Sequence, residues 1–413
     1  MNIVFVSGSA VPNSRAHALQ ILNTYHALAR RGDVSVWLLP TTVRASEDEV
    51  WAKGELAPLP NLRLVPLVPW WWYQRLRLRG ELLGKSTKRI GRWWARRTLA
   101  RVLAEASRGG ERPVVVTRKQ QVPAYAGDLF AKHRALVLCE AHKVDYHDQV
   151  SKVLERGTPA EKRLHALVAR ARSERAAELA RLASFDGVIC TTHTLRDRLA
   201  EAGLAKPMAV IPNGVNLDLA RKEAAAERDI EILYVGQLYP WKGVDRLIEA
   251  MRHLPGRRLT VVGGNMEEDL GRAQEVARRE GVADRIDFLG HQPHPKVWEY
   301  LRRARVGVVP LPRRHFPEAR FFTNPIKVFE MAAAETPIVA SDLPSIREAL
   351  RHGETAWLVR PDSAEALAEG IGRLLGDPAL AGRLASNARA GVANATYATR
   401  AQRIVDFVKQ LGA

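Results

Sequence analysis

The stretch Leu233-Tyr234-Val235-Gly236-Gln237-Leu238-Tyr239-Pro240-Trp241-Lys242-Gly243-Val244-Asp245 runs from an apolar, partly β-branched segment through a glycine turn into a helix start. That order marks the opening of a βα unit in a parallel sheet. Gly236 lets backbone approach a phosphate, and Lys242 sets a cation at the mouth of a helix whose first amides already favour anions. A plain βα loop with a surface lysine reads the same way.

Outward from this stretch the unit repeats. Strands are predicted at Ile232 to Val235, Leu259 to Val262, Ile286 to Leu289, Val306 to Val309, Ile338 to Ala340 and Trp357 to Val359, each with a helical stretch behind it. An earlier series covers Ile3 to Val6, Val34 to Leu39, Leu62 to Val68, Val114 to Thr117, Ala135 to Cys139, Gly187 to Thr191 and Met208 to Ile211. The expected architecture is α/β, two Rossmann-like, doubly wound domains facing each other across a cleft. The first domain is expected over 1–206 and the second over 207–394. The polar stretch 216–228 is the linker candidate, and the final helix within 395–413 is free to pack back on the first half.

The chain has 413 residues, 46% of them hydrophobic, and carries 63 Lys plus Arg against 45 Asp plus Glu, a net +18. Such a surface predicts an acidic partner: nucleic acid, anionic lipid or phosphorylated substrates. Cys139 and Cys190 are the only cysteines, which excludes a disulfide framework or a Cys-rich zinc site and suits a reducing cytoplasm. The N-terminal Met1 to Gly8 reads as a strand and not as a signal peptide. No run of about 18 uncharged apolar residues occurs to span a membrane.

A second anion site is predicted in Phe322-Thr323-Asn324-Pro325-Ile326-Lys327-Val328-Phe329-Glu330. Asn324 as N-cap and Pro325 as first helical residue would aim the backbone amides of 324–327 into the cleft, where they could hold a diphosphate. Glu330 could accept hydrogen bonds from ribose hydroxyls; the alternative is a helix-surface acid paired with Lys327. In the first half, the loop with Gly8 and Ser9 overlooks the cleft, Arg15 can reach an acceptor phosphate, and Arg118, just past a strand, is a similar candidate. His291 and His294 flank Pro293, which predicts a loop and no metal-binding helix face.

The ordered set Val210-Ile211-Pro212-Asn213-Gly214-Val215, Val235-Gly236 through Lys242-Gly243, Val262-Gly263-Gly264, Asp287-Phe288-Leu289-Gly290, Glu330-Met331-Ala332 and Thr336 to Asp342 with Pro344, Arg347 and Glu348 resembles the family 4 glycosyltransferases of the GT-B fold. These are retaining enzymes that use nucleotide sugars. The resemblance implies a donor site on Gly236, Gln237, Lys242, Gly263, Phe322, Thr323, Asn324, Pro325, Lys327 and Glu330, with Glu330 on the ribose and Gly236 and Lys242 on the diphosphate. It implies that His142, after the strand ending Leu138-Cys139-Glu140-Ala141, contacts the donor sugar at the reacting face. The chain departs from the family pattern at Gln237, where an arginine is usual, and at Phe322, where many members carry a second glutamate. Pro325, Lys327 and Glu330 fit a variant of that pattern.

The resemblance also implies a front-face reaction in which the leaving diphosphate takes the proton of the incoming hydroxyl, so that no protein nucleophile is needed. With no Asp-x-Asp in the sequence, neither metal nor cofactor is expected. Two rivals share the architecture: a sugar-nucleotide 2-epimerase, which needs paired acid and base carboxylates where only Glu330 is well placed, and a non-catalytic module binding membrane or nucleic acid.

Half of the excess charge, +9, falls in the 38 residues from Arg63 to Ala100 together with five of the ten tryptophans. Indoles interleaved with basic residues suit an anionic membrane interface. The expected contact set is Trp70, Trp71, Trp72, Arg75, Arg77, Arg79, Trp93 and Trp94. Against it, Leu99, Val102, Leu103 and Ala106 have the spacing of a structural helix. The expected protein is then peripheral on the cytoplasmic face of the membrane, acting on a lipid-linked or cell-surface glycan acceptor. Nucleic acid would also fit the charge, but no recognition motif supports it.

Overall fold

In a computed structural model, residues 1–12, 16–144, 161–221, 227–264, 266–313 and 322–412 are described, and of 16, 53, 75–88, 161–165 and 221 the backbone alone. The first sheet holds β1 (Asn2–Val6), β2 (Ser35–Leu39), β3 (Leu62–Leu64), β4 (Val114–Thr117), β5 (Leu136–Ala141), β6 (Gly187–Cys190) and β7 (Met208–Val210) in the order β3-β2-β1-β4-β5-β6-β7. The second holds β8 (Ile230–Val235), β9 (Leu259–Val262), β10 (Ile286–Gly290), β11 (Ala304–Val309), β12 (Ile338–Ser341) and β13 (Trp357–Val359) in the order β10-β9-β8-β11-β12-β13. Every pairing is parallel, for example Ile3 with Val114 and Val235 with Val262.

These strands are apolar throughout because both faces are covered. Successive side chains point to opposite faces, so Val4 and Val6 enter one core of the first domain while Ile3 and Phe5 enter the other. Ile232 and Tyr234, against Leu233 and Val235, divide in the same way in the second domain. In both sheets the strand order reverses beside the first strand, and a crevice opens there beyond the carboxyl ends. The residues after β1 and β4, and those after β8 and β11, therefore form the two walls of the cleft.

The domain boundaries differ from those expected. Met208 and Val210 pair with β6, so the first sheet extends past residue 206. Val215 and Leu219 are buried in the second domain's core, and the crossing lies at 211–214, upstream of the expected 216–228 linker, of which 222–226 lie outside the described residues. The chain returns beside its outward path: Val215 N–H donates to the Ala395 carbonyl at 2.8 Å. A Cβ on Gly214 would lie 2.8 Å from the Tyr397 nitrogen, so a side chain there would push the two crossings apart.

The last helix, Tyr397–Gln410, does pack on the first domain. Its Ala401, Ile404, Val405 and Val408 join Ile21, Tyr25 and Leu28 in one core. Arg400 lies on the same stripe, buried. Its guanidinium donates to the Ile211 and Pro212 carbonyls, both at 2.6 Å, to Thr24 Oγ1 at 3.2 Å and to Glu140 Oε1 at 2.5 Å.

Three further contacts close the cleft. Glu348 of the second domain accepts the amides of His193 and Thr194 at 2.7 and 2.8 Å, capping a first-domain helix. Asn324 accepts the Asn213 amide on Oδ1 at 2.9 Å. Phe322 packs into the first domain's core.

The helix Trp70–Ala106 buries Ala95, Leu99, Val102, Leu103 and Ala106 on the first sheet. Trp72 and Trp94 pack against that core, whereas Trp71 and Trp93 are 56% and 53% exposed. Removing one partner of a buried ion pair costs about 3–5 kcal/mol. Arg400→Met should lose stability of that order in urea unfolding of the whole chain, and a loss below about 1 kcal/mol would contradict a structural role for this pair.

Candidate active site

The second-domain wall is built from glycines at strand ends. Gly236 has φ +142° and Gly263 φ +126°, conformations open to glycine alone. A Cβ on Gly263 would lie 2.0 Å from the Gly236 carbonyl oxygen. Gly243 ends the turn Pro240–Lys242 in the left-handed conformation, and a Cβ there would lie 1.7 Å from the Pro310 oxygen. The loop after β8 is thereby pressed onto the end of β11, and Lys242 is fixed at its base. Gln237 is held through its carbonyl, which accepts from Tyr234 Oη at 2.7 Å.

Lys327 reaches the same place from the helix Ile326–Ala333. Its Nζ donates to the Val235 carbonyl at 3.1 Å and lies 4.3 Å from the Tyr234 ring centre. Burial, and then the neighbouring charge of Lys242, lower its pKa to about 7 against the opposing pull of Glu330. Burial also lowers Lys242. Lys327 Nζ thus stands beside Gly236, its cationic form disfavoured by burial and by the nearby charge of Lys242.

That helix starts one residue later than expected. Pro325, with φ −76° and ψ 122°, is the N-cap, and no side chain caps the first turn. Asn324 instead clamps Asn213, its Oδ1 accepting from the Asn213 backbone amide and its carbonyl from Asn213 Nδ2, and Pro325 has no N–H to offer. The amide cradle expected over 324–327 contracts to Ile326 and Lys327.

Glu330 is buried and its Oε1 lies 2.7 Å from His294 Nε2. The alternative pairing of Glu330 with Lys327 is not what forms. His294 is the first residue of the helix His294–Arg303, not part of a loop as expected. Burial opposes its protonation, but the charge and hydrogen bond of Glu330 outweigh burial and raise its pKa.

Across the cleft a cavity of about 430 Å³ is lined by Gly8, Ser9, Arg118, His142, Phe322, Thr323 and Asn324, among others. Sequence candidates from both walls therefore meet. Ser9 Oγ is paired with His17 Nε2 at 2.9 Å. A Cβ on Gly8 would lie 1.8 Å from Lys119 Cε, so glycine here makes room for that lysine, an exposed cation on the cavity lining that the sequence reading passed over. Arg118 is not a loose cation awaiting a phosphate: it binds Gln20 and donates to Glu140 Oε1 at 3.0 Å. Its place beside a strand end suggested an open surface, but the buried carboxylate draws it inward. Arg15 lies outside the described residues, as do the side chains of Arg75, Arg77 and Arg79.

His142 Nε2 lies 2.9 Å from Glu140 Oε1. Burial and then the Arg118 charge bring its pKa down to about 4, so the imidazole is neutral at pH 7. Tyr397, at the start of the last helix, is within electrostatic range of Glu330 on one side and of Arg118 and Arg400 on the other. Phe322, where an acid is usual, turns its ring into the first domain's apolar core while lining the cavity.

Of the proposed interface residues, Trp70 stacks on Tyr73 at 5.7 Å under Arg44 at 5.2 Å. Trp93 lies edge-on to Trp94 at 5.2 Å with Arg97 over it at 5.6 Å. Trp72 and Trp94 belong with the core, leaving Trp71 and Trp93 as the outward indoles.

A family model described as glycosyl transferases group 1 matches residues 216–391, and one described as glycosyltransferase family 4 matches residues 18–219. A glycogen synthase of Mycobacterium tuberculosis is 34% identical over 215 residues, 49% of this chain and 49% of that protein. A D-inositol 3-phosphate glycosyltransferase of Nocardia farcinica is 29% identical over 48% of this chain and 46% of its own length. The chain thus spans about half the length of the curated relatives it matches. Among solved structures, sucrose-phosphate synthase of Thermosynechococcus elongatus superposes with a TM-score of 0.71 at 22% identity, covering 100% of this chain and 99% of that one. Anabaena HepE in complex with UDP superposes with a TM-score of 0.69 at 17% identity, covering 99% and 100%.

An anion held between Lys242 and Lys327 raises the pKa of Lys327 from about 7, so binding near pH 8 takes up a proton. Diphosphate affinity should weaken as pH rises from 7 to 9. Calorimetry in buffers of different ionisation enthalpy should show that uptake for the native chain and its loss in Lys327→Met.

Proposed function

Since this chain belongs to glycosyltransferase family 4 and has the GT-B fold, we propose that it is a glycosyltransferase that moves a sugar from a nucleoside diphosphate sugar to a hydroxyl acceptor with retention of configuration. The observation that carries this reading is Lys327 Nζ beside the bare backbone of Gly236, within electrostatic range of Lys242. Two cations and the amides of Ile326 and Lys327 suit a leaving diphosphate. Glu330, fixed by His294, is ready to accept two ribose hydroxyls. Uridine is the base to test first, because Anabaena HepE binds UDP and UDP-glucose.

In the reaction the bond from the anomeric carbon to the diphosphate oxygen breaks as the acceptor oxygen bonds to that carbon on the same face. The acceptor proton passes to the departing phosphate oxygen. The protein's part is to align the hydroxyl and to stabilise the growing charge on the diphosphate. Lys242 and Lys327 supply that stabilisation, and the mechanism calls for neither a metal nor a cofactor. His142 faces the sugar, and Gly8, Ser9 and Lys119 line the acceptor side.

The acceptor in this reading is a lipid-linked or cell-surface glycan at the cytoplasmic face of a membrane. Support comes from Trp71 and Trp93, outward-facing on the helix that begins inside the +9 segment. Among the described residues no helix is long and apolar enough to cross a membrane, so attachment would be at the surface, by indole insertion and charge.

UDP at a hundred times its dissociation constant should stabilise the native chain by about 2.7 kcal/mol, and Glu330→Ala should weaken binding at least tenfold, ~1.4 kcal/mol. No thermal shift with any nucleoside diphosphate would remove the donor site. The native chain should sediment with phosphatidylglycerol vesicles at low salt, less so at 0.5 M salt, and the pair Trp71→Ser and Trp93→Ser should abolish most of it. Equal sedimentation with neutral vesicles, or none, would sink the membrane reading.

A further inference from the structure

Glu140 is a carboxylate at the end of β5 with its side chain 1% exposed, and a single oxygen, Oε1, serves three partners: Arg118, Arg400 and His142. Burial alone would favour its neutral form, but the two guanidinium groups reverse that and hold it ionised, well below the usual carboxylate range. An ionised carboxylate accepts hydrogen bonds and donates none. The contact with His142 at 2.9 Å therefore requires the proton to sit on His142 Nε2.

The other ring nitrogen follows from charge counting. Two arginines already face the one carboxylate, so a third cation beside them is disfavoured and the imidazole stays neutral. With Nε2 protonated, Nδ1 carries a lone pair. Among the described residues none hydrogen-bonds to Nδ1, and the His142 side chain, 32% exposed, lines the cleft cavity.

We propose that Glu140 is a positioning residue that locks His142 in its Nε2–H tautomer, so that His142 meets the substrate as a hydrogen-bond acceptor at Nδ1 and takes the proton side of a sugar hydroxyl. The consequence for selectivity is a preference for a hydroxyl at that point. A carboxylate or carbonyl oxygen would set lone pair against lone pair. Arg400 extends the same control to the last helix, since it holds Glu140 with one arm and the 211 and 212 carbonyls with another. The catalytic consequence rests on the glycosyl-transfer reading; the tautomer does not.

The test is nitrogen-15 NMR of histidine-labelled chain, His142 assigned by its loss in His142→Ala, with hydrolysis of UDP-glucose in the absence of added acceptor as a second readout. In the native chain His142 should show a protonated Nε2 and an unprotonated Nδ1. Glu140→Gln, whose amide oxygen can stay on the two arginines and still accept from Nε2–H, should keep the native tautomer; Glu140→Leu leaves no acceptor there, so the proton should no longer be held on Nε2 and Nδ1–H should appear. Hydrolysis should fall on the order of a hundredfold, in kcat rather than KM, as when one oriented polar group is lost from an active site. In a His142→Ala background the same substitution should change kcat less than about twofold, since coupled residues are not additive.

Arg400→Lys separates structure from positioning: it should lower stability and leave the His142 tautomer as in the native chain. It also serves should Glu140→Leu not fold. A native His142 protonated at Nδ1 or at both nitrogens overturns the proposal, as does a Glu140→Leu chain that folds with the tautomer unchanged. A native chain that hydrolyses no UDP-glucose and binds no UDP counts against the donor reading alone, and the tautomer still decides the role of Glu140.

Discussion

A single buried carboxylate holds the first domain, the hinge and the last helix in register. Taking Glu140 and Arg400 out of water costs several kcal/mol per ion, and such a pair is tolerated only when its remaining donors and acceptors are satisfied. Here they are: Arg400 finds Glu140, Thr24 and the two carbonyls of 211 and 212, and Glu140 finds Arg118 and His142 besides. A pair of leucines could fill the same volume. They could not choose one angular setting of the last helix, because apolar contact has no direction. The ion pair thus supplies geometry where the surrounding Ile404, Val405 and Val408 supply stability.

The second wall shows the opposite state of balance. The charge of Lys242 opposes that of Lys327, and Glu330, which favours the charged form of Lys327, is shared with His294. Like charges at close range in a dry site are relieved by giving up a proton or by gaining an anion. The first wall pairs its buried carboxylate with two guanidinium groups, whereas the second brings two cations within range of each other, and the cleft lies between the two.

The sequence made the architecture legible because parallel strands covered on both faces are written as short apolar runs. All thirteen strands lie within a few residues of where the runs place them. The glycines at the strand ends of the second domain, Gly236 and Gly263, were equally readable, since strand, glycine and helix follow one another locally. What escaped was long-range. Glu140 announced itself only as a charge in an otherwise apolar strand, and Arg400 as a charge on the apolar stripe of a helix 260 residues away. His294 looked like a loop residue because Pro293 obscured a helix start that proline in fact caps. Asn324 had the right chemistry for an N-cap, but a partner more than a hundred residues distant, Asn213, took it instead. Local propensity proposes such roles, and tertiary contacts dispose of them.

The return of the last helix also orders events in time. The first domain's core lacks Ala401, Ile404, Val405, Phe407 and Val408 until residues 397–410 exist, and until then Glu140 has one guanidinium fewer. The second sheet, by contrast, is fully encoded between residues 230 and 359. On a ribosome adding about 5–20 residues per second, the first half waits roughly 10–40 s after its own seventh strand has emerged. The half synthesised second is therefore the half that can finish first, and the nascent N-terminal half spends that interval with an open apolar flank for chaperones to cover.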